Sequence, residues 1–151
     1  MSSSFRDLRV WQDAMKLASE TYRVTANFPR HELYGLSQQM RRAAVSVPSN
    51  IAEGKGHRSD KGFSIFLFHA RGSLLEHETQ VEIGEDLQYL QEEQAQRLLG
   101  RTKTVGRSLT GLINSLSTRE QRSQSVLPRT NKRRPTTDFG SADDRRPTTD
   151  D

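Results

Sequence analysis

The sequence predicts an all-α fold: an up-down-up-down antiparallel four-helix bundle with a disordered C-terminal tail. Three observations carry this expectation. Four stretches, each 20 residues or more, repeat apolar side chains at spacings of three and four, the signature of one buried helical face. Short breaks containing Pro or Gly, or polar residues, separate them. No stretch alternates with period two between turn pairs, so nothing reads as strand.

The first helix is expected over residues 7–27. Leu8, Trp11, Met15, Ala18 and Tyr22 form its stripe, widened by Val10, Ala14, Leu17 and Val24. Asp7 is a candidate N-terminal cap or first-turn acid. Phe28-Pro29 closes the segment, because a residue before proline resists helical dihedrals. The second helix is expected over residues 32–53, with Leu33, Leu36, Met40, Ala43, Val47 and Ile51 inward. Pro48 lies inside it, removes a backbone donor and predicts a kink or a restarted last turn. Gly54 and Gly56 then offer a stop.

The third helix is expected over residues 59–90, capped by Ser59 and carrying Phe63, Phe66, Leu67, Ala70, Leu74, Val81 and Leu87. The fourth is expected over residues 92–116, lined by Ala95, Leu98, Leu99, Thr102, Val105, Leu109, Leu112, Ile113 and Leu116. Helices of this size are roughly 30 Å long. Their short connections make neighbours antiparallel, and a bundle buries all four stripes. One segment has apolar surface to spare. Phe63, Ile65, Phe66, Leu67 and Phe68 almost encircle the third helix, and a helix apolar all round is buried all round. Phe63, Phe66 and Phe68 are therefore expected in an oligomer interface. The alternative is a cover supplied by the first connection, through Phe28 and Tyr34.

The domain is placed at residues 5–116 and the tail at 117–151. The tail is nearly all polar, charged or proline, and it repeats Arg-Arg-Pro-Thr-Thr-Asp at 133–138 and 145–150. Such a composition cannot offset the entropy of ordering. The repeat is either a duplicated neutral linker or a short binding motif. The partition matters for charge. Residues 1–116 carry 15 Lys and Arg against 13 acids, and the tail 8 against 6, so the tail supplies half of the net +4. Inside the bundle, residues 1–75 hold 11 cations and 6 acids. Residues 76–96 hold seven acids and no cation, and residues 97–116 hold four cations and no acid.

The chain has no cysteine, which excludes disulfides and thiolate metal sites. Its longest apolar run, residues 65–68, is too short to span a membrane. Residues 1–4 lack the apolar stretch of a signal peptide, so a cytoplasmic protein is expected. Nothing points to catalysis, and no metal or cofactor is expected. His77-Glu78 lacks the second histidine of a zinc-protease helix. The residues three before His69 and His77 are Phe66 and Leu74, not the glutamates of a di-iron bundle.

Two polar rows stand beside the apolar stripes. Gln39, Arg42, Ser46, Asn50 and Glu53 follow one side of the second helix, and His69, Ser73, Glu76 and Gln80 one side of the third. Facing each other, they would form a structural network of Arg42, Ser46, Asn50, Glu53 and Glu76, with Arg42–Glu76 as its charge pair. The alternative is a row that contacts a ligand or RNA. The candidate nucleic-acid contacts are Arg41, Lys55, Arg58, Lys61, Arg97, Arg101, Lys103 and Arg107. Lys55, Arg58 and Lys61 follow glycines and precede or open a helix, an arrangement able to hold phosphate.

Several strings resemble one family. They are Phe5-Arg6-Asp7-Leu8 with Val10-Trp11 and Ala14; Phe28-Pro29 with Glu32 and Tyr34-Gly35-Leu36; and Gly72-Ser73-Leu74 with Glu76, Thr79 and Gln80. The most specific string is the unbroken run from Gln39 to Gly54, Gln-Met-Arg-Arg-Ala-Ala-Val-Ser-Val-Pro-Ser-Asn-Ile-Ala-Glu-Gly. Together they resemble the four-helix-bundle proteins encoded in intervening sequences of bacterial 23S ribosomal RNA genes. They are similar also to the accessory variability proteins of diversity-generating retroelements. The resemblance implies a non-catalytic homo-oligomer, typically a pentamer, and for the accessory proteins a basic bundle that binds nucleic acid and a reverse transcriptase. Two functions follow as expectations. The first is a basic oligomer binding RNA or DNA through phosphates; the second is a protein–protein scaffold or adaptor, for example for a reverse transcriptase.

Overall fold

The computed structural model describes residues 3–126 and Gly140. Both copies of the repeated hexamer, and the rest of the predicted tail beyond Val126 except Gly140, lie outside the described residues. Four helices make up the fold: α1 (Arg9–Thr25), α2 (Leu36–Lys55), α3 (Asp60–Asp86) and α4 (Glu92–Ser125). Among the described residues there is no strand. No helix among them is long and apolar enough to cross a membrane.

Each helix packs along two neighbours, α1 on α2 and α4, and α3 on α2 and α4, and across the diagonal Thr21 of α1 meets His77 of α3 through their side chains. Contacts along the seams set the directions. Gly54 near the end of α2 meets Phe63 near the start of α3, and Arg119 late in α4 pairs with Asp60 at the start of α3 at 3.6 Å. Glu20 late in α1 meets Arg97 early in α4, and Thr25 at the end of α1 meets Arg41 early in α2. Every adjacent pair is therefore antiparallel, as the short connections require.

The predicted stripes meet in one core. Leu17, Met40, Val47, Ile51, Leu67, Val81, Leu98, Val105 and Leu109 are fully buried, and Leu116 is the last buried residue of α4. That helix continues to Ser125, past the predicted end at 116, and its added turns are exposed.

The helix boundaries differ from the sequence reading where local chemistry intervenes. Asp7 belongs to a 3₁₀ turn (Phe5–Asp7) rather than to α1. Its carboxylate accepts from the Ser4 N–H at 3.0 Å, closing a capping box. Residues 32–35 also stay outside α2. Glu32 ends a second 3₁₀ turn (Arg30–Glu32), and its Oε2 instead accepts from the Leu36 N–H at 2.8 Å. Helix α2 then runs uninterrupted through Pro48. Helix α3 stops at Asp86, four residues early. Gln88 adopts a left-handed backbone with φ of 62°, and the N–H groups of Tyr89 and Leu90 turn back to the Gly84 carbonyl.

The aromatic girdle of α3 divides. Phe63, expected at an interface, is buried in the core of the bundle. Phe66 is half-buried, its ring 4.7 Å from that of His57. Only Phe68, 52 % exposed, projects outward. Phe28 does not cover this girdle: it packs on Tyr89 and beside Gly84 at the far end of α3. Tyr34 is 84 % exposed.

Gly54 permits a close approach between α2 and α3. A Cβ there would stand 2.7 Å from Phe66 Cβ and 2.9 Å from Phe63 Cδ2, so the helices would have to part. At Gly111 a Cβ would meet nothing within 4 Å. Gly54→Ala should therefore destabilise the fold by about 1–3 kcal/mol, as overpacking does. Gly111→Ala should stabilise it by about 1 kcal/mol through helix propensity. Urea denaturation of both variants checks the opposite signs.

Candidate nucleic-acid interface

The structure sorts the eight predicted cations into engaged and unengaged groups. Arg41 is half-buried; its Nε–H donates to Thr25 Oγ1 at 2.9 Å and its guanidinium lies 4.8 Å from the Tyr22 ring centre. Arg97 and Arg101 converge on Glu20, whose side chain is 8 % exposed. Arg101 Nε–H donates to Glu20 Oε2, and Arg97 Nε lies 3.6 Å from Oε1. A buried carboxylate needs such partners, so Arg97 and Arg101 hold α4 to α1. The sequence reading placed these three among phosphate contacts; each also has a partner within the fold.

The other five make no ion pair among the described residues. Lys55, Arg58 and Lys61 gather where α2 turns into α3. Lys55, His57, Arg58 and Arg119 line a recess of about 450 Å³ together with Ser59, whose Oγ accepts from the Gly62 N–H at the start of α3. Asp60 is the acid in that recess, and it holds Arg119. Lys103 and Arg107 instead border a groove of about 810 Å³ between α3 and α4, with Arg71 and Glu78. Arg71 and Arg119 had not been singled out from the sequence. Arg71 stands next to an apolar row and Arg119 in a segment read as tail, so neither carried a signal.

The predicted polar network forms only at its centre. Ser46 Oγ and Ser73 Oγ are 2.8 Å apart across α2 and α3. Asn50 Nδ2 donates to the Ser46 carbonyl and to Ser46 Oγ at 2.8 and 2.9 Å. Arg42, Glu53 and Glu76 are all exposed. The Arg42–Glu76 ion pair does not form, and Glu76 accepts instead from Gln80 at 3.3 Å on its own helix. The spacing put these residues on the right helices, but too far round each for their charged ends to meet.

A second polar connection was missed. His77, fully buried in α3, has Nε2 2.8 Å from Thr21 Oγ1 in α1. The Thr21 hydroxyl donates its one hydrogen to the Leu17 carbonyl at 2.8 Å. His77 must then donate through Nε2–H, which assigns the tautomer from the network. Nδ1 is left bare, with no protein partner. Burial lowers the His77 pKa from the usual 6.5 to about 4, because a proton on Nδ1 would be a charge without an acceptor. Among the described residues, no three His, Asp or Glu side chains converge as a metal site requires.

The comparisons with known proteins agree with this architecture. A family model described as 23S rRNA-intervening sequence protein matches residues 6–111. A solved structure from Bacteroides thetaiotaomicron VPI-5482, described as a protein with unknown function from the S23 ribosomal protein family, has a similar fold. Its TM-score is 0.63 at 21% identity, over 69% of this chain and 97% of that one. No curated protein matches the chain.

The lowered His77 pKa has a signed consequence. Below pH 6.5 the unfolded chain binds a proton that the folded chain refuses down to about pH 4. The stability from neutral His77 is complete above 6.5 and lost as pH falls through 4, about 3 kcal/mol in all. His77→Gln should retain an N–H for Thr21 and lose less stability than the native chain between pH 7.5 and 4.5. Denaturant midpoints at the two pH values measure this; equal losses in both proteins would contradict it.

Proposed function

The chain belongs to the 23S rRNA-intervening sequence protein family, and on that premise we propose that it is a non-catalytic homo-oligomer. In this reading it acts in the cytoplasm and binds RNA or DNA through basic surface patches. The observation that carries the reading is that Lys55 and Arg58 line one recess at the α2–α3 end of the bundle, with Lys61 in the first turn of α3 beside it, and none of the three in an ion pair among the described residues. Cations outside ion pairs can replace the counterions of a phosphate backbone, and release of those ions drives binding. A single copy offers few such contacts. Several copies held together offer the same patch repeatedly, and weak contacts then add through effective concentration. The apolar outer face of α3 supports assembly, since Ile65, Phe68, Leu75 and Ile83 are each 43–56 % exposed. The resemblance supports an assembly of five copies.

A second reading, a scaffold or adaptor for a protein such as a reverse transcriptase, rests on the groove between α3 and α4. Its floor includes Leu74, Leu75, Leu99 and Gly106, and Arg71, Lys103 and Arg107 line it too. An apolar floor is of little use to a phosphate backbone and of direct use to a helix. A protein partner retained through nuclease treatment would favour this second reading.

Fluorescence anisotropy with a structured RNA and a DNA duplex tests the first reading. Affinity should fall steeply between 50 and 200 mM salt. The triple variant Lys55→Glu, Arg58→Glu, Lys61→Glu should flatten the log–log slope by roughly 0.9 for each phosphate it no longer neutralises. Arg101→Ala should lower thermal stability and leave the slope nearly unchanged. Salt-independent or undetectable binding would overturn the proposal.

A further inference from the structure

Two apolar surfaces lie on different sides of the bundle, and their chemistry is complementary. The first is the outer face of α3. Ile65, Phe68, Leu75 and Ile83, at spacings of three, seven and eight, share one stripe. Gly72 in the same stripe has nothing within 4 Å of an added Cβ. Packing inside the subunit gives no reason for a residue that weakens a helix. The second is a groove of about 340 Å³ between α1 and α2, walled by Trp11, Met15, Ala18, Val45, Pro48 and Ala52. Met15 and Val45 are 41 % and 40 % exposed there.

Charge distinguishes the two surfaces. Helix α3 bears six carboxylates, five of them from Glu76 onward, against Lys61 and Arg71. Met15, which walls the groove, also borders an adjoining recess on its α4 side, lined by Lys16 and Arg23, and Arg41 of α2 lies over Tyr22 of α1, seven residues beyond Met15. Like surfaces would set acid against acid; unlike surfaces set acid against base.

We propose that the outer stripe of α3 in one copy docks on the α1–α2 groove of the next copy, with Phe68 seated between Met15 and Val45. The proposal rests on the homo-oligomer reading above and names the faces that meet. The contact is heterologous, so repetition of one rotation yields a ring or a filament. The incoming α3 runs parallel to the receiving α1. Glu76, eight residues beyond Phe68, then falls about 12 Å along the helix, level with Arg23, which is eight residues beyond Met15. The register therefore matches charge where Glu76 meets Arg23. Gly72 allows the backbones to approach between Phe68 and Glu76.

Mixing two defective variants tests the pairing of unlike faces. Phe68→Glu damages only the stripe and Val45→Glu only the groove, and both positions are exposed in the monomer. Circular dichroism should find both variants as helical as the native chain. By mass measurement each alone should be monomeric. An equimolar mixture should give a species of two copies, because one intact stripe meets one intact groove and neither remaining face can propagate. Arg23→Glu should weaken assembly at least tenfold, and Glu76→Lys added to it should restore most of the loss. A mixture that stays monomeric, or a Val45→Glu protein that still assembles as the native chain does, overturns the pairing and leaves the homo-oligomer reading standing. A native chain that is monomeric at tens of micromolar overturns both.

Discussion

At Gly54 the α2 backbone lies against Phe63 and Phe66 at a separation no side chain would allow. That close approach organises the bundle. It turns Phe63 into the core, where its ring also lies 5.8 Å from Lys55 Nζ. Further along the same seam Ser46 and Ser73 share a hydrogen bond, which two large side chains at those positions would prevent. A helix held so closely on one side, and packed on α4 on another, has its outer face left over. Ile65, Phe68 and Leu75 occupy that face, and their exposure is the reason to look for a partner surface.

The polar groups of the interior complete the same logic. Buried polar groups need partners, and α1 provides two such connections at neighbouring positions, although His77 Nδ1 and Gln80 Oε1 have no protein partner. Glu20 takes Arg97 and Arg101 from α4, and Thr21 takes His77 from α3. Adjacent residues of α1 thus tie it to two different helices. The consequence reaches function, because Arg97 stays exposed and Arg101 partly so, but part of their charge is already answered by Glu20. What remains unengaged collects at the α2–α3 turn and along the α3–α4 groove, and those are the surfaces on which the two functional readings rest.

The candidate site was only partly legible in the sequence. Lys55, Arg58 and Lys61 are close in the chain, and a turn keeps them close in space. Arg97 and Arg101 looked the same as Lys103 and Arg107, four cations within eleven residues. Only the identity of the neighbouring helix separates them, since α1 presents Glu20 to one side of α4 and α3 presents a groove to the other. The Arg42–Glu76 pair failed for a related reason. Spacing assigns a residue to a side of its helix within some tens of degrees, and an ion pair tolerates much less. The pairing of His77 with Thr21 left no sequence signal, because any one of several small polar residues in α1 would have looked equally fit.

The periodicity of apolar residues settled the helix count, and the short connections settled the antiparallel order. Both follow from the chain alone, because burying a stripe is a property of each segment and a short link leaves one direction of return. The string from Gln39 to Gly54 carried the family as well. Tertiary structure alone decided which aromatics of α3 serve the core and which are left outside. It also decided which arginines are committed to Glu20, and where helices end when Glu32 or Gln88 bends the chain first. Those outcomes depend on the rotation of each helix about its axis and on what its neighbour presents, quantities that no single segment contains.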